Sequence, residues 1–208
     1  SAGRHSGGSG DCRGRVVSGE LKQVYSAGRL KSCVARLGRR ISRDYSGRTV
    51  DVVIMLENAF VFAADLVRQI QSPVVCHFVR SELRDVKPNL REVFFSHQPN
   101  LSGRNVLVVD AVLHSGVTQD FLLKRLLDSQ PRSLRVAVLL DKPQDRKVDL
   151  KPDYFGFAGA SNYMVGYGLP GRRGLYRNLP CLAMAGSSRA VSNRMRARKA
   201  SRRARPKR

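Results

Sequence analysis

Apolar residues recur along this chain with two different rhythms. Between residues 21 and 46, Leu30, Val34, Leu37 and Ile41 fall three or four positions apart with basic residues between them. That spacing predicts an amphipathic helix ending near Ser46-Gly47. The rhythm then changes to an unbroken apolar run, TVDVVIMLENAF, which suits a parallel strand buried on both faces. Phe60 to Ile70 is again helical in pattern, and Val74 to Val79, after Pro73, gives a second strand. The polar stretch from Arg80 to Asn100 reads as a long loop, or an excursion with weak strands. A third buried strand covers Asn105 to Val109, followed by a helix from Gln119 to Asp128 with Phe121, Leu122 and Leu126 on one face. Pro131 stops that helix, Leu134 to Leu140 forms a fourth strand, and Tyr163 to Tyr167 a fifth. Strands alternating with helices at this pace predict an α/β fold around a parallel sheet.

The length of 208 residues allows one domain with a sizeable core and tails. No apolar run approaches the roughly 18–20 residues that cross a bilayer. The opening SAGRHSGGSGDCRGR has no apolar segment of the kind a secretory signal needs. Its Gly/Ser content predicts a disordered leader over 1–20, before a domain over 21–187. Cys12, Cys33, Cys76 and Cys181 share no C-x-x-C spacing, so no zinc or redox motif is expected and a reducing compartment is the default, cytoplasm or an organelle matrix.

Charge changes this picture at one end. The net charge is +22, and ten of those charges lie between Arg189 and Arg208, where there is no acid at all. A tail over 188–208 of this composition cannot bury a core and is expected to be disordered. Arg194, Arg196, Arg198, Lys199, Arg202, Arg203, Arg205, Lys207 and Arg208 are then candidates for neutralising phosphates on RNA or another polyanion. The alternative is a solvated tail that aids solubility. Pairing with a membrane surface is disfavoured, because the tail lacks an apolar face.

In open α/β sheets ligands bind beyond the carboxyl ends of the strands, which directs attention to the turn after NVLVV. There Asp110 is followed by His114, Ser115, Gly116, Val117 and Thr118. Glycine permits close backbone approach, and the N–H groups opening the next helix can hold a phosphate, with the Ser115 and Thr118 hydroxyls adding donors. An ordinary strand–turn–helix with capping hydroxyls would look the same in isolation.

The stretch GRNVLVVDAVLHSGVT resembles the phosphoribosyl-pyrophosphate signature of type I phosphoribosyltransferases. Around it VLLDKP, PDYFGF, MVGYGL and YRNLP follow the order and spacing of hypoxanthine-guanine phosphoribosyltransferases, so that the resemblance runs from about Leu30 to Met184. It implies a twisted parallel sheet flanked by helices with a small hood, dimers or tetramers, and magnesium-dependent transfer of phosphoribose to a purine. It also implies roles. Ser115, Gly116, Val117 and Thr118 would hold the 5′-phosphate, and Asp110 would be the first of two acids gripping the ribose. Lys142 would recognise the purine's exocyclic oxygen, Tyr163 would stack on the base beside the backbone of Met164, and Arg177 would reach the pyrophosphate.

Other positions depart from that pattern. The second ribose acid is Ala111, the acid near the purine N7 is His114, and the magnesium-binding aspartate is Pro170. The pyrophosphate loop, Leu-Lys-Gly in the family, reads Leu56-Glu57-Asn58, which places a carboxylate where pyrophosphate should bind and repels it unless a cation intervenes. The Ser-Tyr lid is absent from SELRDVKP. His114 is either a replacement acid–base or a harmless substitution. Two functions follow as expectations. The first is a catalytically impaired relative that keeps part of a purine nucleotide site and binds RNA through its tail. The second is an active salvage enzyme, with magnesium required only in that case.

Overall fold

Val50 to Met55 and Asn105 to Ala111 are buried without interruption. Strands covered on both faces must lie in the middle of a sheet with helices on each side. In the computed structural model, which describes residues 21–87, 90–96, 99–159 and 163–185, this is what they do. The elements are β1 (Leu21–Tyr25), α1 (Ala27–Asp44), β2 (Val50–Leu56), α2 (Phe60–Val67), β3 (Val74–Lys87), β4 (Leu90–Phe95), β5 (Asn105–Leu113), α3 (Val117–Leu127), β6 (Ser133–Asp141), β7 (Tyr154–Ala158), β8 (Met164–Val165) and β9 (Leu182–Ala185).

The main sheet has the order β4-β3-β2-β5-β6-β7. β3, β2, β5, β6 and β7 run parallel, and β4 closes one edge as the antiparallel partner of β3. Side chains alternate between two cores, as a period of two requires. Val52, Ile54, Leu107, Val109, Ala137 and Leu139 face α1 and α2. Val53, Met55, Val106, Val108, Val136 and Val138 face Leu122 and Leu126 of α3. The α1 stripe is Leu30, Val34, Leu37 and Ile41, with Ser26 capping the helix by accepting from the Arg29 N–H at 3.3 Å. Gly38 allows α1 to approach α2, because a Cβ there would lie 2.3 Å from Gln69 Cβ.

A second, smaller sheet of order β1-β9-β8 forms the hood, pairing Leu21 with Ala185 and Met164 with Met184. Tyr25 stacks on Phe157 of the main sheet at 4.0 Å between ring centroids, which ties hood to body.

Several expectations change. The helix predicted from residue 21 begins only after Ser26, because Leu21–Tyr25 is a hood strand. The fifth strand of the main sheet is Tyr154–Ala158, whereas Tyr163–Tyr167 contains only the two-residue β8, cut short where Gly166 takes φ +95°. The third strand runs on through Asp110 to Leu113, and the excursion after Arg80 is a β3–β4 hairpin. Phe121 is half exposed rather than packed with Leu122 and Leu126. The leader and basic tail lie outside the described residues. Among those residues, no helix is long and apolar enough to cross a membrane.

Candidate functional site

β5 delivers its last residues to the C-terminal edge of the sheet, where His114, Ser115 and Gly116 turn the chain into α3. Gly116 is in the left-handed region, φ +79° and ψ −7°, at the start of the helix, and no side chain caps the N–H groups there. A side chain at this position would also collide with its surroundings, since a Cβ would lie 2.9 Å from Val148 Cγ2 and 3.0 Å from Arg146 Cδ. The segment carrying those two residues is held against the turn by the Lys147 N–H, which donates to Ser115 O at 2.9 Å. The result is a backbone concavity with the positive end of α3 at its base and the Ser115 and Thr118 hydroxyls beside it. Uncapped N–H groups at a helix start are a feature that attracts anions.

Next to it is a cleft of about 290 Å³, lined among others by His114, Lys142, Tyr163, Met164, Asn58 and Pro170. Its size is at the lower end of small-ligand pockets, which span roughly 300–1,000 Å³. The structure therefore brings Lys142, Tyr163 and Met164, the residues expected at the base, together beside the Gly116 turn. Lys142 is buried, and its backbone N–H donates to Leu113 O at 3.0 Å. Tyr163 stays largely exposed and ties its ring across the mouth by donating its hydroxyl to Pro170 O at 2.8 Å. His114 Nε2 lies 3.2 Å from Asp145 Oδ2.

Asp110 does not join them. Its Oδ1 accepts from the Ala111 N–H at 2.6 Å, and its Oδ2 accepts from Gln119 Nε2 at 2.6 Å, inside the protein. Burial is the largest influence on this carboxyl and lifts it to about 6, against the opposing pull of Gln119 and of the Ala111 and Val112 amides. Gln119 is a partner that the sequence reading missed. Its signal was present, because Gln119, Leu122 and Leu126 share the buried spacing of α3, and a polar residue on such a stripe needs a partner.

Arg177 approaches from the far side. Its Nη1 donates to Gly168 O at 2.6 Å and to Asn58 Oδ1 at 3.0 Å, and its Nη2 lies 3.4 Å from Glu57 Oε2. Arg80 meets the other oxygen of the same carboxylate, Nη2 to Oε1, at 2.7 Å. Glu57 is thus flanked by two cations that sequence spacing did not reveal.

No magnesium site stands ready-made among the described side chains. Among the described residues no three His, Cys, Asp or Glu side chains cluster as a ligand set. The carboxylates of Glu57 and Asp110 are already bonded to arginine and glutamine, and Ala111 and Pro170 offer no side-chain oxygen.

The phosphoribosyl transferase domain family matches residues 20–169. The chain is 34% identical over 161 residues to the hypoxanthine phosphoribosyltransferase of Salmonella typhimurium, covering 73% of this chain and 87% of that protein. It is 35% identical over 166 residues to the hypoxanthine-guanine phosphoribosyltransferase of Aquifex aeolicus, covering 77% and 92% respectively. The crystal structure of a Bacillus anthracis hypoxanthine-guanine phosphoribosyltransferase superposes with a TM-score of 0.73 at 35% identity, over 80% of this chain and 99% of that one. The sheet order, the turn at Gly116 and these matches agree: the chain belongs to the type I phosphoribosyltransferases, in their hypoxanthine-guanine branch.

Proposed function

We propose that the cleft takes a purine nucleoside 5′-monophosphate and that phosphoribosyl transfer through it is severely slowed. The observation that carries this reading is the contrast between an intact phosphate turn and an Asp110 whose two oxygens are turned inward to Gln119 and the Ala111 N–H. The phosphate would sit on the helix N–H groups at Gly116 with help from Ser115 and Thr118. Lys142 would donate to the exocyclic oxygen of the base, the backbone of Met164 would run along its edge, and Tyr163 would cover one face.

Transfer asks for more than binding. Positive charge developing at the ribose needs nearby oxygens, the leaving pyrophosphate needs cations, and the proton at the purine N7 needs an acceptor. Ala111 supplies no oxygen, Asp110 is engaged elsewhere, and Glu57 occupies the cations. Each such group is worth about 3 kcal/mol, or roughly a hundredfold in rate. Their losses overlap rather than add, so the slowing expected is at least that of one such group, about a hundredfold.

Calorimetric titration with inosine and guanosine monophosphates, alongside a turnover assay with phosphoribosyl pyrophosphate and magnesium, tests both halves. The reading expects monophosphate binding without magnesium, and turnover at least a hundredfold below that of the Salmonella relative assayed side by side. Turnover within tenfold of that relative would end it.

One contact and the names of the relatives favour a second reading, an active purine-salvage enzyme using magnesium. If His114 took the N7 proton on its other ring nitrogen, the resulting imidazolium would pair with Asp145, whose Oδ2 lies 3.2 Å from Nε2. Loss of turnover in His114→Ala, in a protein that turns over, would establish it. For the tail we propose contact with RNA or another polyanion. Deleting residues 189–208 would then flatten the salt dependence of RNA binding, since each lost phosphate contact on a single strand lowers the slope by about 0.7. Dimers or tetramers, the 21–187 domain limits and a cytoplasmic or organelle-matrix location are parts of the same proposal.

A further inference from the structure

We propose that Glu57 is a built-in anion that fills the chain's own pyrophosphate subsite, so that the cleft selects monophosphates over ligands carrying pyrophosphate. This rests on the monophosphate reading above and identifies the residue that enforces it.

Two guanidinium groups distant in sequence converge on this one side chain: Arg80 Nη2 on Oε1 at 2.7 Å and Arg177 Nη2 on Oε2 at 3.4 Å. Arg177 would stay in place without Glu57, because the Gly168 carbonyl and the Asn58 side chain hold its other nitrogen. Its side chain is 27% exposed, whereas those of Glu57 and Arg80 are 55% and 58% exposed. Ion pairs this exposed contribute little to stability, so the cluster is not explained as a device for holding the fold together. It is better explained by what it does to an incoming ligand.

Two guanidinium groups that converge on one point suit a pyrophosphate, whose oxygens can each take a forked guanidinium. Here a carboxylate tethered through one peptide turn already occupies both. A tethered group competes at an effective concentration in the millimolar range or above, and a pyrophosphate must displace it before gaining either arginine. A monophosphate seated on the Gly116 turn never meets this competitor. The repulsion expected from Glu57 thus takes a different physical form: the cations that could offset it are present, and Glu57 consumes them.

The test titrates full-length protein with inorganic pyrophosphate and, separately, with guanosine monophosphate, comparing wild type, Glu57→Gln and Glu57→Gln/Arg177→Gln. Glutamine keeps the size of the side chain and removes its charge, and circular dichroism checks the fold of each variant. The expected result is at least a tenfold gain in pyrophosphate affinity in Glu57→Gln, with guanosine monophosphate affinity changed less than twofold, and loss of the gain in the double variant. Equal pyrophosphate affinity in wild type and Glu57→Gln would overturn the proposal, as would a gain that survives removal of Arg177. If guanosine monophosphate binds none of the three proteins, the monophosphate reading falls, while the pyrophosphate series still decides the role of Glu57.

Discussion

On one side of the cleft lie the Gly116 turn and the wall formed by Lys142, Tyr163 and Met164. On the other lie Pro170 and the Glu57–Asn58 turn. The first side depends mostly on backbone: helix N–H groups, a left-handed glycine and a strand edge, all fixed by the packing of β5, α3 and the segment around Val148. The second side would depend on side-chain oxygens and charges, each of which a single substitution removes or reverses without disturbing the core. Substitution can therefore remove chemical groups from one flank while the opposite flank, which is part of the fold's own architecture, keeps its shape.

The substitution expected to act most strongly breaks the intact side. Gly116→Val forces a β-branched residue to φ +79° and drives its Cβ into Val148 and Arg146. The cost is about 3 kcal/mol or more, and titration should show guanosine monophosphate binding lost beyond a hundredfold.

Asp110→Asn probes the boundary between the two sides. The carboxyl is lifted to about 6 in the folded protein, from an ordinary value of 3.8. The folded state therefore holds this proton more tightly than the unfolded chain does. The stability from this group is fully present below pH 3.8 and is lost as pH rises through 6, a difference of about 3 kcal/mol. Asparagine can keep the Ala111 N–H and, with the Gln119 amide turned over, donate to it. The variant should be more stable than wild type in urea at pH 7.5, and the advantage should shrink by pH 4. A variant less stable at pH 7.5 would show that the anion is fully satisfied where it lies.

Lys142→Met tests whether the wall reads the base. Loss of a charged donor to an exocyclic oxygen costs about 2 kcal/mol, so guanosine monophosphate should weaken roughly thirtyfold while adenosine monophosphate, which lacks that oxygen, changes little. Tyr163→Phe is the mildest. It removes only the bond to Pro170 O on an exposed ring, and an effect above about 1 kcal/mol on nucleotide affinity would give that hydroxyl a larger part than geometry suggests.

The legible parts of this molecule were those in which local pattern and tertiary role coincide. The α1 stripe, the double-faced strands at Val50 and Asn105, and the small-residue turn at Gly116 each carry their fate in neighbouring residues. β1 was hidden because Leu21 and Val24 stand three residues apart, a spacing a helix also gives, and only its pairing with β9 makes it a strand. β7 was hidden because it is a five-residue edge strand with Gly156 at its centre, which breaks the strand signal. Phe121 was misplaced because it neighbours Leu122 in sequence but is turned about 100° from it around the helix. At the site, the substitutions could be read directly, but their consequences could not. The capture of Asp110 depends on a residue nine positions away, and the arginines that flank Glu57 come from 23 and 120 positions away.

The pairing of β1 with β9 has a consequence in time. The main sheet is complete once Ala158 has left the ribosome, whereas the hood joins the first described strand to the last and must wait for Ala185. Closing so long a loop is slow relative to the local βα steps that build the body. β8, which carries Met164, pairs only with β9 among the described strands. The newborn chain thus sets its Gly116 turn and Lys142 well before the hood brings Met164 into place, so the cleft is open along that edge until the last described strand arrives.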